Sequence, residues 1–360
     1  MLYLLDFILA FSLSVVATLF VKKLALKYKI VDDPGSKRKI HTKPIPLLGG
    51  VAVFFSFTVA ILSYSFFDQQ LLSGYLMPKH LLGILLGGLV LIVGGALDDK
   101  YSLKPSRQIL FPIFAAIIII ASGIGIDYIS NPFGEAFLLE GSRIEILNFN
   151  GTPYYLVVFA DLFTFVWILG MTYTTKILDG MDGLVSGLTV IAGVIIFFLS
   201  LQDKIMQPET ALLAIVMAGA FAGFLLFNFN PAKIFLGEGG STLAGFLIGT
   251  LAIVSGGKLA TALLIMSIPI IDLAFVILKR IFDKRELKAP DTKHLHFRLL
   301  RMGLSQRKTV LIMYAISATL GSVALLYEGK AKVVFLLVLG VMILLFLVIV
   351  SWWSKKKKEA

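Results

Sequence analysis

The chain has 360 residues, of which 58% are hydrophobic and 15% are charged, and it contains no cysteine. Soluble domains are ~45–50% apolar and ~25% charged, so the composition excludes an ordinary cytosolic enzyme, a disordered chain and a disulfide scaffold. The lack of cysteine also excludes thiolate metal sites and a cysteine nucleophile. The apolar residues come in blocks of about 20, the length that crosses a bilayer. The sequence therefore predicts an all-α polytopic integral membrane protein.

Eleven apolar segments are long enough to predict membrane-spanning helices. The first is followed, and not preceded, by Lys22 and Lys23, which is typical of an uncleaved anchor rather than of a signal peptide. No repeat or soluble domain is evident, so we expect residues 1–360 to form a single transmembrane domain. In chain order the predicted spans are 2–21, 47–66, 81–97, 107–127, 155–172, 184–200, 209–228, 241–255, 259–278, 309–327 and 332–353.

The basic residues predict which side of the membrane each loop faces. When the loops are assigned alternately to the two sides, one side holds 27 of the 33 Lys and Arg residues. Because basic residues stay on the cytoplasmic side, we expect the N-terminus outside and the C-terminus in the cytoplasm. The net charge of +11 is then explained by membrane topology and by attraction to anionic lipid headgroups. It does not indicate nucleic-acid binding.

The longest predicted outer segment, 128–154, contains alternating polar and apolar residues that begin at Arg143 and lead to Asn150-Gly151. Alternation that ends in Asn-Gly is typical of a β-hairpin. The sequence therefore predicts a short extracytoplasmic hairpin that covers the outer face.

Acidic residues avoid the middles of the spans, with Asp272, about two turns inside the ninth span, as the nearest exception. Transporters and pumps place carboxylates near mid-membrane. Here the ionisable groups lie instead in five loops on the predicted cytoplasmic side, which favours an enzyme that works at the inner membrane surface. These candidate catalytic loops are 22–46, 98–107, 173–183, 228–241 and 279–308.

The first of these loops is basic and rich in proline, and it contains Arg38, Lys39 and His41 before the Gly49-Gly50 pair. Lys and Arg donate charge-assisted hydrogen bonds to phosphate. Because prolines restrict the backbone of the loop, little conformational entropy is lost when the loop binds a ligand. The loop therefore predicts a rim that collects phosphate. A plain positive-inside anchor followed by a turn is the alternative.

Two further loops carry paired carboxylates. Asp98 and Asp99 close a predicted helix, where the macrodipole disfavours negative charge; a bound Mg²⁺ would suit them, because it takes carboxylate and phosphate oxygens together. Asp179 and Asp182 are spaced i, i+3, which predicts that both lie on one side of a helical turn. A solvated helix end and a glycine-rich turn are the respective alternatives.

The last two loops carry a glutamate and a histidine pair. Glu238 lies in Gly-Glu-Gly-Gly-Ser before an apolar helix, which predicts Ser241 as the N-cap and helix amides that bind an anion. His294 and His296 would point apart in a helix, so we predict a loop or strand-like segment. A zinc site would need further ligands, so the histidines are expected to contact phosphate or base.

These five blocks, in this order, resemble the motifs of the polyprenyl-phosphate N-acetylhexosamine-1-phosphate transferases, a family of integral membrane enzymes. The resemblance covers about residues 30–300. It is closer to the undecaprenyl-phosphate N-acetylglucosamine-1-phosphate transferases than to the phospho-N-acetylmuramoyl-pentapeptide transferases, because His294-Leu-His296 is similar to the His-x-His motif of the former branch. The latter branch has three consecutive histidines.

The resemblance implies a reaction and a place for it. A UDP-N-acetylhexosamine, with N-acetylglucosamine as the expected sugar, gives its sugar-1-phosphate to undecaprenyl phosphate and releases UMP. This is the first membrane step of a cell-envelope glycan such as teichoic acid or O-antigen. The implied location is the bacterial cytoplasmic (inner) membrane, with the active site on its cytoplasmic face. The implied partners are the two substrates and the bilayer, without nucleic acid, and a homodimer is left open.

The resemblance also implies residue roles. Asp98, Asp99 and Asp179 are the implied catalytic residues, and Asp98 is the group expected to activate or orient the lipid phosphate. The implied ligands of Mg²⁺, with Mn²⁺ as an alternative ion, are Glu238, Asp98, Asp99 and Asp179. The implied substrate-binding residues are Arg38, Lys39, His41, Arg107, Lys176, Asp182, Asn228, His294, His296 and Arg298.

Some positions depart from the family pattern. Glu238 stands where an aspartate is usual, and Tyr173 and Lys176 stand in place of two asparagines. Phe297 replaces a further histidine, and Arg107 stands where lysine is common. Lys176 is expected to ion-pair with Asp179, three residues on, or to bind a donor phosphate. These departures leave two alternatives open, a different UDP-sugar donor or an inactive family member. A lipid-linked sugar transporter is a further alternative from a different class of protein.

Overall fold

The computed structural model describes residues 2–34, 43–67, 76–129, 131, 134–139, 141, 143–149, 152–256, 259–282 and 295–327, with isolated positions between 334 and 345. The helices are α1 (Leu2–Lys27), α2 (Gly49–Phe67), α3 (Pro78–Tyr101), α4 (Pro105–Gln108), α5 (Leu110–Ala121), α6 (Val158–Leu178), α7 (Leu184–Ser200), α8 (Pro208–Asn228), α9 (Gly237–Val254), α10 (Leu259–Ile265), α11 (Ser267–Phe282), α12 (Leu295–Arg301) and α13 (Gln306–Leu326). The strands are β1 (Val31–Asp32), β2 (Ile45–Pro46), β3 (Tyr128–Ile129), β4 (Phe137–Leu138), β5 (Arg143–Phe149) and β6 (Thr152–Val157).

The described part of the chain is mostly helical, in agreement with a polytopic membrane protein. Seven of its helices are long and apolar enough to cross a membrane, or eight if α10 and α11 form one bent span. Two shorter apolar helices, Pro105–Ala121 and Leu184–Ser200, coincide with predicted spans 107–127 and 184–200. The count of eleven spans, the orientation and the single domain stay predictions, and most of span 332–353 lies outside the described residues.

The fifth and ninth predicted spans differ from the observed helices. The fifth was predicted from residue 155, but β6 continues to Val157 and α6 begins only at Val158. The ninth is split, since α10 and α11 meet at a bend of 77°. Pro269 lies in the first turn of α11, where a missing N–H is tolerated. In an unbroken helix the same proline would leave the carbonyl of Ile265 without its hydrogen bond.

The helices pack through small residues and short polar contacts, as helices in membranes commonly do. Ser14 Oγ of α1 donates to the carbonyl of Ala220 on α8 over 2.6 Å. Trp167 Nε1 of α6 donates to the carbonyl of Gly249 on α9 over 3.0 Å. Helix α9 is almost entirely enclosed by its neighbours, so it forms the centre of the described bundle.

Glycines hold the first turn of α9 against the ends of α2 and α3. A Cβ at Gly95 of α3 would overlap the backbone of Gly239, and a Cβ at Gly50 of α2 would overlap that of Gly240. The backbones therefore approach as closely as glycine permits. Gly50 N–H also donates to the carbonyl of Leu236 over 2.7 Å. This packing places the start of α9 beside the end of α3.

Strands β5 and β6 pair antiparallel, with Phe149 opposite Thr152 and a register shift between Glu145 and Leu147. The pairing occupies the segment in which the sequence predicted a hairpin, and the turn residues 150–151 lie outside the described residues. β6 leads into the N-terminal end of α6, opposite to the end that is followed by Asp179. The placement of this hairpin on the outer face of the membrane stays a prediction.

Candidate active site

An open cavity of about 1080 Å³ lies where the C-terminal ends of α1, α3, α6 and α8 meet the N-terminal ends of α9 and α13. This is the end of the bundle that carries the predicted cytoplasmic loops. Segments far apart in the sequence therefore contribute side chains to one space. The predicted site residues that line it are Asp98, Asp99, Lys176, Asp179, Asp182, Asn228 and Glu238.

The acid pair lies in the last turn of α3, as predicted. Asp98 Oδ1 accepts hydrogen bonds from the N–H of Leu103, over 2.8 Å, and from Gln108 Nε2, over 2.7 Å. Asp99 Oδ1 accepts one from the N–H of Glu238, over 3.0 Å. Each carboxylate is thus oriented by the segment that follows α3 or by the start of α9, and Asp98 Oδ2 accepts none from the described residues.

Asp179 and Asp182 both reach the cavity, but they do not share a helical turn as predicted. Helix α6 ends at Leu178 and α7 begins at Leu184, so both acids lie in the non-helical link between them. Asp182 Oδ2 accepts hydrogen bonds from Asn230 Nδ2, over 2.8 Å, and from the N–H of Ala232, over 3.0 Å. These bonds fasten the link between α6 and α7 to the link that follows α8.

Asn228 is buried at the end of α8 and connects three segments. Its Oδ1 accepts hydrogen bonds from the N–H of Gly183, over 3.1 Å, and from Ser186 Oγ, over 2.8 Å. Its Nδ2 donates to the carbonyl of Ile234 over 3.0 Å. Gly183 has φ +79°, a conformation that favours glycine. Asn228 therefore positions the loop that carries Asp182, and its direct contact with substrate stays a prediction.

Glu238 is the second residue of α9, which begins at Gly237 with φ +74°. The predicted N-cap role of Ser241 is wrong, because Ser241 lies inside the helix and its Oγ donates to the carbonyl of Glu238 over 3.1 Å. The helix begins earlier than the apolar run suggests, since the glycines before the run pack against α2 and α3. Glu238 is thereby placed in the wall of the cavity.

Lys176 lies in the last turn of α6. Its Nζ is 2.5 Å from Glu238 Oε1 and donates to Gln108 Oε1 over 3.2 Å. The predicted ion pair with Asp179 is not formed among the described residues. The physical reason is that α6 ends before Asp179, which has φ −72° and ψ 54°, so the i, i+3 helical geometry does not extend to it.

The cavity concentrates negative charge. Asp179 has an exposed side chain that opens to the cavity. Partial desolvation by the cavity wall, together with the carboxylates of Glu238, Asp99 and Asp182, raises the pKa of Asp179 to about 8. The arrangement therefore favours a bound proton or cation at this place.

The carboxylates of the cavity are candidate ligands for a divalent cation. Carboxylate oxygens are ligands that Mg²⁺ prefers, and Mg²⁺ is usually held by one or two carboxylates together with water and substrate phosphates. Among the described residues no three His, Cys, Asp or Glu side chains converge on one point. The donor set therefore fits an ion that keeps water or phosphate ligands, and does not fit a cage made by the protein alone.

Other predicted site residues are not brought to the cavity or lie outside the description. Arg107 is exposed on α4 and does not line the cavity. Arg298 is buried on α12, with its guanidinium carbon 4.7 Å from the centre of the Phe275 ring. His296 also lies in α12, so the predicted loop or strand-like conformation is wrong for it. Arg38, Lys39, His41 and His294 lie outside the described residues.

Sequence reasoning missed two amides that organise the site. Gln108 bridges Asp98 and Lys176, and Asn230 Nδ2 donates to both Asp182 and Gln306 Oε1, each over 2.8 Å. A neutral amide beside basic residues carries little signal for chemistry. The Asn-x-Asn-Pro pattern between two spans was a signal that could have identified Asn230.

Comparisons with known proteins place the chain in a family. The model of the family described as glycosyl transferase family 4 matches residues 81–256. A Bacillus subtilis (strain 168) protein, named as a probable undecaprenyl-phosphate N-acetylglucosaminyl 1-phosphate transferase, is 35% identical over 317 residues, which cover 86% of this chain and 80% of that protein. The chain belongs to glycosyl transferase family 4. The family resemblance seen in the sequence is thereby confirmed.

Two further relatives carry related names. An Escherichia coli (strain K12) undecaprenyl-phosphate alpha-N-acetylglucosaminyl 1-phosphate transferase is 30% identical, with 90% of this chain and 83% of that protein covered. A Mycolicibacterium smegmatis decaprenyl-phosphate N-acetylglucosaminephosphotransferase is 27% identical, with 83% and 75% covered.

The part of the chain that matches the family 4 model contains every predicted site residue that lines the cavity, from Asp98 to Glu238. It also contains α3, α6, α8 and α9, the helices on which those residues lie or end. This family 4 member is therefore a multi-pass membrane protein and a phosphosugar transferase.

Proposed function

We propose that the protein transfers N-acetylglucosamine-1-phosphate from UDP-N-acetylglucosamine to undecaprenyl phosphate, giving a polyprenyl-diphospho-sugar and UMP. The observation that carries the proposal is the convergence of Asp98, Asp99, Asp179 and Asp182 on one open cavity in a member of this family. The names of the relatives from Bacillus subtilis and Escherichia coli support the sugar and the lipid. We further propose that the cavity faces the cytoplasm in a bacterial inner membrane and that the product enters a cell-envelope glycan.

The chemistry asked of the site is the approach of two anions. An oxygen of the acceptor phosphate attacks the β-phosphorus of the UDP-sugar, the bond from that phosphorus to the bridging oxygen breaks, and UMP leaves. A phosphate monoester is already mostly ionised at neutral pH, since its second pKa is ~6. Asp98 therefore orients the acceptor more than it removes a proton. Positioning and charge stabilisation supply most of the catalysis in such transfers.

We propose Mg²⁺, with Mn²⁺ as an alternative, as the cofactor. When bound, the ion would neutralise charge on the diphosphate. One or two of Asp98, Asp99 and Asp179 would hold it, with water and substrate phosphate as its other ligands. Desolvation and the neighbouring carboxylates raise the pKa of Asp179 to about 8, and a bound cation would relieve that repulsion. Glu238, the fourth carboxylate predicted for this role, is bound by Lys176.

The shape of the cavity supports separate routes for the two substrates. Its wall reaches Lys22 and Leu26 on α1, and Leu26 is half exposed on the outer surface of the bundle, where a lipid chain could lie. Lys43 and Lys233 also line the cavity, and their ammonium groups suit phosphate. The water-soluble donor would enter through the open mouth.

The proposal is tested by UMP release from the detergent-purified protein. The assay contains UDP-N-acetylglucosamine, undecaprenyl phosphate and Mg²⁺, and each is omitted in turn. Release that requires all three is expected. Release only with another UDP-sugar would correct the donor, and it would assign the changes at Tyr173 and Lys176 to donor specificity. If folded protein releases no UMP with any UDP-sugar, the proposed transferase activity is contradicted and an inactive family member is favoured.

A further inference from the structure

Four side chains form a continuous hydrogen-bonded chain from α3 to α9, and we call them the relay. Asp98 Oδ1 accepts from Gln108 Nε2 over 2.7 Å, Gln108 Oε1 accepts from Lys176 Nζ over 3.2 Å, and Lys176 Nζ contacts Glu238 Oε1 at 2.5 Å. An amide has one donating and one accepting end. The orientation of Gln108 is therefore determined by the acid on one side and the ammonium on the other.

The ion pair in the relay is enclosed by other groups. The side chains of Lys176 and Glu238 are 22% and 20% exposed, and Lys176 Nζ also lies 5.5 Å from the centre of the Tyr173 ring. Exposed ion pairs are worth little, but removing one partner of an enclosed pair leaves a charge without compensation. Three groups hold the ammonium, so it is a fixed part of the site.

Lys176 and Glu238 are also two of the positions at which the sequence departs from the family pattern, and the structure places them in contact with each other. A cation and an ammonium that approach the same carboxylate oxygen compete for it. Mg²⁺ requires an oxygen at about 2.0–2.1 Å in strict octahedral geometry. In this chain Lys176 Nζ engages Glu238 Oε1, and its positive charge also repels a divalent cation that approaches the other oxygen of the same carboxylate.

We propose that Lys176 is the resident counter-cation of Glu238, so that Glu238 is not a ligand of the divalent cation in this protein. The inference rests on the proposed function for the presence of that cation. The ion binds on the side of Asp98, Asp99 and Asp179, while Lys176 neutralises Glu238 and, through Gln108, orients Asp98. Lys176 thereby sets how tightly the site binds a divalent cation.

The test is Mn²⁺ binding to detergent-purified protein without substrates, measured by electron paramagnetic resonance of free Mn²⁺. Lys176→Met frees Glu238, and we expect Mn²⁺ to bind about tenfold more tightly. Lys176→Arg keeps the charge and should bind Mn²⁺ as the wild type does. Lys233→Met is the matched control, because it removes one charge from an exposed residue of the same cavity that forms no ion pair with Glu238.

The decisive variant combines Lys176→Met with Glu238→Gln, which removes both charges and leaves the net charge of the site unchanged. Wild-type affinity for Mn²⁺ is expected, because neither residue is a ligand. An affinity lower by about tenfold or more would show that Glu238 is a ligand and would overturn the inference. It would also be overturned if Lys176→Met bound Mn²⁺ no more tightly than Lys233→Met.

The inference and the proposed function can fail separately. UMP release is measured on the same preparations, whose folding is checked by gel filtration and thermal unfolding. Wild-type protein that follows the expected Mn²⁺ pattern but releases no UMP with any UDP-sugar would contradict the proposed function and support the inference. If Lys176→Met alone is unstable because Glu238 is left without a partner, the double variant still decides, since it leaves no unpaired charge.

Discussion

The carboxylate of Asp98 is held by one oxygen, through the N–H of Leu103 and Nε2 of Gln108. This arrangement orients the group without using Oδ2 among the described residues. Oδ2 can therefore contact a cation bound to a substrate phosphate, or the proton of such a phosphate. The two hydrogen bonds to Oδ1 keep the carboxylate in the same orientation in both cases. The role of Asp98 depends on its charge, and the role of Gln108 depends on its two-ended amide.

Asp98→Asn should abolish turnover while the protein stays folded. The asparagine keeps an Oδ1 that can accept both existing hydrogen bonds, but it loses the negative charge. We expect UMP release to fall by about 100-fold or more, with an unchanged unfolding temperature. Near-native UMP release by this variant would contradict the role assigned to Asp98.

Gln108→Ala should lower kcat by about tenfold, or ~1.4 kcal/mol in activation free energy, with little change in KM for the donor. The reason is that Asp98 and Lys176 lose their common partner, whereas the wall of the cavity remains. The split between kcat and KM is measured by steady-state UMP release. Gln202→Ala is the control, since Gln202 Nε2 donates to the carbonyl of Leu325 and does not line the cavity. Equal effects of the two variants would argue against a positioning role.

At the scale of elements, the site depends on how closely α3 and α9 approach. The acids could be predicted from the sequence, because Asp98, Asp179 and Glu238 stand out in a chain whose spans carry few charges near their middles. Their partners could not be predicted. The contact between Lys176 and Glu238 depends on the packing of α6 against α9, and the end of α6 before Asp179 leaves no mark in the hydropathy pattern.

Gly95→Ala should separate α3 from α9, because the added Cβ would overlap the backbone of Gly239. Overpacking of this kind typically costs about 1–3 kcal/mol, and the hydrogen bond from Glu238 N–H to Asp99 should be lost. We expect a lower unfolding temperature in detergent and a loss of UMP release. Gly170→Ala is the matched control, since a Cβ at Gly170 meets no atom within 4 Å. A Gly95→Ala protein as stable and active as Gly170→Ala would contradict this packing argument.

At the scale of the whole molecule, the basic residues predict an orientation and the structure gathers the acidic loops at one end of the bundle. Some of those loops follow the C-terminal ends of helices and others precede N-terminal ends. Helices that alternate in direction across the membrane would bring such ends to one side, so the position of the cavity agrees with the predicted alternation of spans. Hydropathy identified most of the helices, but it placed the start of the fifth span inside β6 and missed the bend between α10 and α11. The pairing of β6 with β5 sets the start of α6, and Pro269 in the first turn of α11 lies at the bend after α10.

The orientation can be measured directly, because the chain has no cysteine of its own. Glu135→Cys and Lys104→Cys each place one thiol at an exposed position on opposite predicted sides. A membrane-impermeant maleimide should label Glu135→Cys in intact spheroplasts and should label Lys104→Cys only after permeabilisation. The reverse pattern would invert the topology and place the cavity outside.

The central claim is that a sugar-1-phosphate is transferred, and not a sugar alone. UDP-N-acetylglucosamine labelled with ³²P in its β-phosphate distinguishes these outcomes when the protein is supplied with undecaprenyl phosphate and Mg²⁺. The account predicts that the label moves into the lipid fraction, in equal amount to the UMP released, and that Asp98→Asn does not move it. Label that remains in water-soluble UDP while the sugar enters the lipid would contradict the account.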